Sequence, residues 1–369
     1  SRLTVLRTSD WSFVSGTPAL PGTGNGCAFS PDGQYLAVVH SSAPYLQVIR
    51  TSDWSVVSGA PAPANVGNGV AFSPDGQEVA YSTNISGQFN IWRQPTVGGY
   101  ARQVTIYDAE TVRSIEWAPN GSSLLYTADK NGDEFYTPHT ISIDGGPSEQ
   151  LAAEPEVQYF LAESAFSKDG RFISYSGNDR EPTDQDILLR DLATGEVRRL
   201  VQADGAFFPG RWSPDGSQMT VVDFQTNTRM DIHLVDVATG ASQLVTPRDG
   251  DVKNLPGPWA ADGSGFYMAT DEDREFTGLA FYDLATGQKR WVETPEWDIE
   301  HVALSQDGQS LAWVVTEDGF SRLFLRALHT GALVDLPELP IGVITVMTIG
   351  RSRWRADSTV ASIRSMPSS

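Results

Sequence analysis

The sequence predicts an all-β fold: an eight-bladed β-propeller of four-stranded antiparallel blades, its ring closed by a blade that both chain ends share. Two observations carry this. A tight S-P-D-G turn between two short apolar segments recurs along the whole chain. The first and last segments of the chain are also complementary halves of one such unit. Repeats of this length, too small to bury both faces of their own sheet, are the signature of blades that stack on one another.

The turn appears as "AFSPDG" ending at Gly33, "AFSPDG" ending at Gly76 and "EWAPNG" ending at Gly121. It continues as "AFSKDG" to Gly170, "RWSPDG" to Gly216, "PWAADG" to Gly263 and "ALSQDG" to Gly308, with a decayed "RWRADS" ending at Ser358. The polar turn residue is Asp32, Asp75, Asn120, Asp169, Asp215, Asp262, Asp307 and Asp357 in turn, at intervals of 43 to 50 residues. Pro presets φ at the first corner, Asp or Asn bonds its own nearby backbone, and Gly accepts positive φ. These eight residues are therefore structural turn residues. The flanking segments, such as "YLAVV", are rich in β-formers, so each copy reads as a hairpin. Two further strands follow in most units, as in "DILLRDL" and "DIHLVDV", each closed by "ATG".

The blades are expected at about 25–59, 66–105, 113–151, 162–200, 208–246, 256–293 and 300–337, within a single propeller spanning 1–369. The eighth joins 346–369 to 1–16. Residues 1–16 match residues 44–59, which supply the outer two strands of a blade, whereas the C-terminal segment supplies an inner hairpin. Two strands from each end would close the ring and remove two exposed edges.

Bulk composition narrows the function. There are 26 basic and 46 acidic residues, a net charge of −20. That disfavours nucleic acid and anionic membranes, which both require a positive surface. A single cysteine, Cys27, excludes an intramolecular disulfide and suits a reducing compartment. The apolar stretch "LPIGVITVMTIG" is too short to span a bilayer. No charged-then-apolar leader opens the chain, and it starts at Ser rather than Met, as a trimmed or processed chain would. A cytoplasmic monomer is expected.

From about residue 78 the units resemble the propeller of the prolyl oligopeptidase family, especially its acylaminoacyl-peptidase and dipeptidyl-peptidase-like members. The resemblance rests on "SGQFNIWRQPTVGGYARQVT", "TADKNGDEFYTPHTISIDGGPSEQL", "SGNDREPTDQDILLRDLATGE", "ATDEDREFTGLAFYDLATG" and "EDGFSRLFLRALHTGALVDLPELPIGV". It implies a propeller whose partner in the parent protein is an α/β-hydrolase domain with a G-x-S-x-G elbow. No G-x-S-x-G occurs here: "GSSLL" after Asn120 and "GFSRL" after Asp318 both lack the second Gly. The expectation is a non-enzymatic scaffold without cofactor. A substrate-gating fragment of such a peptidase is one alternative, and a propeller binding a protein or small ligand through the loops of one face is another.

Residues 1–77 do not resemble that family. "TSDWSFVSGTPALPGTGNGCAFSPDGQ" and "TSDWSVVSGAPAPANVGNGVAFSPDGQ" share 20 of 27 positions, and nothing later in the chain matches them so well. The first 77 residues carry a net charge of −1 and the remainder −19. Near-copies followed by a charge break are expected of a chimera, engineered or recombined from a serine-peptidase propeller and amplified blades of another lineage.

Other candidate chemistry reads as structural. His40, His139, His233, His301 and His329 lie in separate repeats, whereas zinc needs three or four converging ligands. "DKNGDEFYTPHT" has Glu134 and Thr140 where a calcium loop needs Gly and Glu, so it is expected to be a solvated hairpin tip. The pairs Asp184/Asp186 and Asp271/Asp273 sit in strand connections and are expected to face solvent, without a catalytic part. Trp117, Trp212, Trp259 and Trp354 share one inner-strand position with Phe29, Phe72 and Phe166, which predicts packing between blades rather than a ligand box. Trp11 and Trp54 are equivalent to each other and are expected at blade edges. Cys27 takes the place of Val70 and is expected to be a small buried hydrophobe.

Overall fold

A computed structural model of the chain describes residues 2–7, 12–19, 24–40, 46–57, 66–152, 154, 156–247, 249–305, 307–337, 339, 342–351 and 358–365. Strand β1 (Arg2–Arg7) precedes the first blade, which is β2 (Gly24–Phe29), β3 (Tyr35–His40) and β4 (Leu46–Arg50). The second blade is β5 (Val66–Phe72), β6 (Glu78–Thr83), β7 (Asn90–Pro95) and β8 (Arg102–Gln103). The third is β9 (Thr111–Trp117), β10 (Ser123–Asp129), β11 (Thr137–Ser142) and β12 (Glu149–Gln150). The fourth is β13 (Tyr159–Phe166), β14 (Phe172–Gly177), β15 (Asp186–Asp191) and β16 (Val197–Val201). The fifth is β17 (Ala206–Trp212), β18 (Gln218–Thr226), β19 (Arg229–Asp236) and β20 (Ser242–Leu244). The sixth is β21 (Asn254–Trp259), β22 (Gly265–Thr270), β23 (Gly278–Asp283) and β24 (Gln288–Glu293). The seventh is β25 (Asp298–Leu304), β26 (Ser310–Glu317) and β27 (Phe320–Ala327), and β28 (Val343–Arg351) and β29 (Ser358–Ser365) follow it. Strands in each blade are ordered as in the chain.

The fold is an all-β propeller, but the expectation of eight four-stranded blades is corrected. Among the described residues, seven blades are built from consecutive strands, and only the second to sixth are four-stranded. The remaining strands form a three-stranded sheet in the order β1-β29-β28, with one strand from the N-terminal end and two from the C-terminal end. The 2+2 closing blade is therefore not formed. The second N-terminal strand shrinks to a bridge between Leu6 and Phe13 and a 2.9 Å hydrogen bond from Val14 N to Val5 O. Gly16 then takes a left-handed φ of 86° and Pro18 follows, so that pairing runs no further. In the decayed repeat "RWRADS" the turn has lost both Pro and Gly. Its Asp357 and Trp354, like Trp11, lie outside the described residues. In the first and seventh blades the outer strand is likewise reduced to one bridge, Ile49 with Val56 and Arg326 with Leu333.

The chain divides into two compact units: residues 1–152, 303–314 and 318–369 form the first, and residues 153–302 and 315–317 the second. Within each, the two-residue period of a strand sends alternate side chains to the two neighbouring sheets. In the first unit, Leu36 and Val38 pack on Leu3, Val5 and Val14, while Ala37 and Val39 pack on Phe72, Val79 and Tyr81. Ala80 then joins Trp117, Leu124 and Tyr126 of the next blade. Leu6 points the other way from Leu3 and Val5, into a cluster with Val314, Leu325 and Ile344. In the second unit, Ile187 and Leu189 meet Phe207, Met219 and Val221, and Ile232 and Leu234 meet Trp259, Phe266 and Met268.

The inner-strand aromatics do more than fill this core. Trp117 Nε1 donates to the carbonyl of Ala71 at 3.0 Å, Trp212 to that of Ala165 at 3.3 Å, and Trp259 to that of Arg211 at 3.1 Å. In each case the acceptor is the residue before the preceding blade's own aromatic, so the indole stitches one inner strand to the next. Phe29, Phe72 and Phe166 lack the donor.

Two outcomes test this account. Replacing Trp117 with Phe keeps the apolar body and removes one hydrogen bond, so urea titration should show a loss of about 1 kcal/mol. Deleting residues 1–16 removes Leu3, Val5, Leu6 and Val14, all buried. At roughly 1.5–3 kcal/mol for each, the loss is comparable to a whole domain's stability, so the truncated chain should melt far lower or associate through the bared edge of β29. An unchanged melting temperature in a monomeric truncation would refute the pairing.

Candidate functional site

Antiparallel order places the S-P-D-G turn and the hairpin after the third strand at one end of each blade. The loop between the second and third strands, and the connector to the next blade, lie at the other. The first end is uniform. Asp32, Asp75, Asp169, Asp215 and Asp307 each accept a bond from the Ser two residues before, at 2.6 to 2.7 Å, and from the backbone N two residues after, at 3.0 Å. Asn120 and Asp262 bond instead the N–H and hydroxyl of Ser122 and Ser264. The following Gly has φ between 68° and 74° in all seven turns. Each turn is tied to the end of the third strand, for example by Thr51 N to Gln34 O at 2.8 Å and Val237 N to Ser217 O at 2.9 Å. Hydrogen bonds from Ser213 and Ser217 lower the Asp215 carboxyl to about 2. The "ATG" hairpins are also local: Asp191, Asp236 and Asp283 cap their own turn N–H groups. These side chains hold turns and face no shared centre.

Chemical variety lies at the other end. In the second blade, Thr105 Oγ1 donates to Asn90 Oδ1 at 2.9 Å and accepts from Ile91 N at 2.8 Å. The fifth blade repeats this clamp, with Thr246 on Asp231 at 3.1 Å and on Ile232 N at 2.8 Å. In the fourth blade the place of the Thr is taken by Val201, yet Asp186 still opens the third strand. Asp186 is 0% exposed, which corrects the expectation that it faces solvent. Arg180 Nε meets its Oδ2 at 2.8 Å, Arg199 Nη1 meets the same oxygen, and Ala203 N donates to Oδ1 at 2.6 Å. Arg180 also bonds Asp184 at 2.9 Å and the Ala203 carbonyl at 2.7 Å, and Arg199 bonds Asp179 at 2.6 Å. Burial pushes the Asp186 carboxyl up, but the Arg180 bond, the Ala203 N–H and the two guanidinium charges outweigh it and hold the group low. Without an alignment of blades, the signal "NDREPTDQD" shows charge but not that Asp186 stands where its counterparts find a hydroxyl.

The sixth blade has a related loop. Arg274 reaches the Phe276 carbonyl at 3.2 Å and the connector carbonyl of Pro295, much as Arg180 reaches Ala203. Only residues 130–134 of the "DKNGDEFYTPHT" segment form the expected exposed hairpin tip, with Asp133 accepting from Phe135 N at 3.0 Å and positive φ at Asn131 and Glu134, whereas Asp129 is buried and accepts from Thr111 N at 2.8 Å. Among the described residues, no three His, Cys, Asp or Glu side chains gather as metal ligands. His139 stacks on Tyr126 with its Nε2 2.8 Å from Thr137, and its buried Nδ1 has no partner. His233 lies beside Phe207 and bonds Ser242 at 2.9 Å, whereas His301 and His329 are exposed. The His40 side chain lies outside the described residues. Trp54 is buried in the core rather than at an edge, and Cys27 packs partly buried against the same cluster, its thiol pushed up to about 12 by burial.

No protein-family model matches the chain. One curated relative is dipeptidyl aminopeptidase BIII of Pseudoxanthomonas mexicana, 29% identical over 127 residues. That match covers 34% of this chain and 18% of the enzyme, so the chain spans only a small part of its relative's length. A solved prolyl endopeptidase superposes with a TM-score of 0.64 at 13% identity, over 81% of this chain and 50% of that one. A dihydro-heme d1 dehydrogenase gives 0.63 at 17% identity, over 90% and 72%. An oligogalacturonate lyase gives 0.57 at 14%, over 82% and 89%. At such identities the structural likenesses establish the propeller fold alone, whereas the 127-residue match makes the chain a homologue of the peptidase over that stretch. None of them bears on a separate origin for residues 1–77.

Removing Asp186 takes away the carboxylate that the two guanidinium groups share, leaving each with one outer carboxylate, Asp184 or Asp179, and leaves the buried Ala203 N–H without its acceptor. Asp186→Ala should therefore cost about 1–3 kcal/mol in urea titration. Asp53→Ala, which breaks an exposed pair with Arg50 and two bonds from Ser55, should move the urea midpoint far less. The pH dependence has two windows. Burial lowers His139 from 6.5 to about 4, so the fold holds it neutral. That contribution is complete above the unfolded value and is lost as pH falls from 6.5 towards 4, a loss His139→Phe should abolish. The lowered carboxyls of Asp75, Asp169, Asp186, Asp215 and Asp262 add stability above their unfolded values, lost as pH drops below about 4.

Proposed function

We propose that this chain is the non-catalytic propeller of a dipeptidyl-aminopeptidase-like serine peptidase, serving as a scaffold that limits which peptides reach a hydrolase domain. The homology to dipeptidyl aminopeptidase BIII carries the reading. The architecture agrees with it. The turn end of the seven blades is locked by short-range hydrogen bonds to its Asp or Asn and offers little variation. The loop end of the second unit carries long, charged connections that differ from blade to blade, the usual site of recognition on a rigid frame. Paired near-copies and the charge break after residue 77 favour a recombined origin for the first blades within this same framework.

The chemistry of acyl transfer needs a nucleophile with a base in reach and an oxyanion site. Each serine of the S-P-D-G turns is instead held by its own Asp, as in the 2.6 Å contact between Ser213 and Asp215. Purified chain should release no nitroaniline from Ala-Ala-p-nitroanilide above a boiled control. It should also take up no serine-directed fluorophosphonate. Stoichiometric labelling of a single serine, lost when that serine is changed to Ala, would overturn the proposal.

A further inference from the structure

A cavity of about 390 Å³ opens between the fifth and sixth blades, wholly within the second unit. Its walls include Val245, Met268, Glu272, Tyr282, Lys289 and Trp291. Glu272 and Lys289 form an ion pair at its side, with side chains only 12% and 18% exposed. The Lys289 ammonium also lies 4.4 Å from the centre of the Trp291 ring. The indole is 39% exposed although it sits on the outer strand β24.

The wall is shaped by backbone as well as by side chains. A Cβ on Gly278 would stand 2.8 Å from Trp291 Cζ3, so only glycine seats the indole where it is. Asp273, also in the lining, holds a left-handed φ of 57°, unusual for a residue with a side chain. That φ belongs to the loop's own turn, closed by Arg274 N to the Asp271 carbonyl at 2.9 Å, whereas the close fit of Gly278 serves the indole.

The chemistry points to one class of molecule. A carboxylate and an ammonium of opposite sign stand side by side, and an aromatic plate and a thioether lie beyond them. A ligand with the reverse pair of charges closes a four-charge ring: its ammonium faces Glu272 and its carboxylate faces Lys289. An aliphatic side chain then lies on Trp291 and Met268. The volume fits an amino acid or a dipeptide. We propose that this cavity is a binding site for a small zwitterion of the α-amino-acid type, free or as a short peptide, with Glu272 and Lys289 reading its two charges and Trp291 its side chain. The inference does not depend on the chain's kinship to peptidases.

Calorimetric titration of the intact chain tests it, with L-leucine, glycyl-L-leucine and N-acetyl-L-leucine amide as probes. The blocked amide keeps the side chain and lacks both charges, so no variant is needed for the main comparison. Saturable heat with L-leucine or the dipeptide, weakened at least tenfold with the blocked amide, supports the site, and the preferred zwitterion identifies its source. Glu272→Gln, which removes one charged contact, and Trp291→Ala, which removes the apolar plate, should each weaken binding about tenfold, with folding checked by circular dichroism. Equal heats from the zwitterions and the blocked amide, or no saturable heat from any probe, would overturn the proposal. Binding that survives in both variants would overturn it as well.

Discussion

A single sheet of three or four strands is too thin to exist alone, and within each compact unit the constraint that governs the rest is burial against neighbouring sheets. A strand has only a two-residue period to meet it, so each inner strand divides its apolar residues between two partners. Leu36 and Val38 serve one neighbour and Ala37 and Val39 the other. Polar residues enter the buried strands where a hydrogen-bond partner is in reach, as buried Thr220 bonds the Arg211 carbonyl at 3.3 Å. The indole bond from Trp117 to Ala71 turns a non-directional contact into a register mark between blades. Such a bond fixes how far one blade slides along the next, which apolar packing alone does not.

The same constraint explains the fourth blade. A hydrophobic position taken by Val201 strengthens the sheet-to-sheet core but removes the hydroxyl that would otherwise satisfy the residue at the head of the third strand. Asp186 keeps a charge there, and two arginines from different segments supply what one threonine supplies elsewhere. An ion cage of this kind gives little net stability but fixes which segments meet, because each partner is costly to bury without the others. It joins the loop at Arg180 to the strand at Arg199 and the connector at Ala203.

Much of the fold is legible in the sequence because its signals are local. The Asp of such a corner bonds residues two positions away, so Asp32 to Asp307 can be read without knowing what surrounds them. The outer strands are less legible. Near-identical "TSDWSVVSG" suggests two strands, but Phe13 remains 40% exposed and pairs through a single bridge. Strand content there depends on burial by a neighbour, which a sequence repeat does not encode. Charge at Asp186 is visible in the chain, but its burial depends on residues up to 17 positions away. The cavity beside Trp291 is equally hidden, since its walls come from two blades.

The three-stranded sheet has a consequence for how the molecule is made. Leu3 lies opposite Ile363 and Arg7 opposite Thr359, so β1 gains its strand-length partner only after more than 350 further residues have been synthesised. Blades two to six each complete their sheets from consecutive residues and can form as they emerge, whereas this pairing must close a loop that long. During translation Leu6, whose neighbours Val314, Leu325 and Ile344 are made far later, stays open to solvent and to other chains. A strand from one end of the propeller thus waits for strands from the other, and the slow step of folding falls at a sheet that local sequence cannot nucleate.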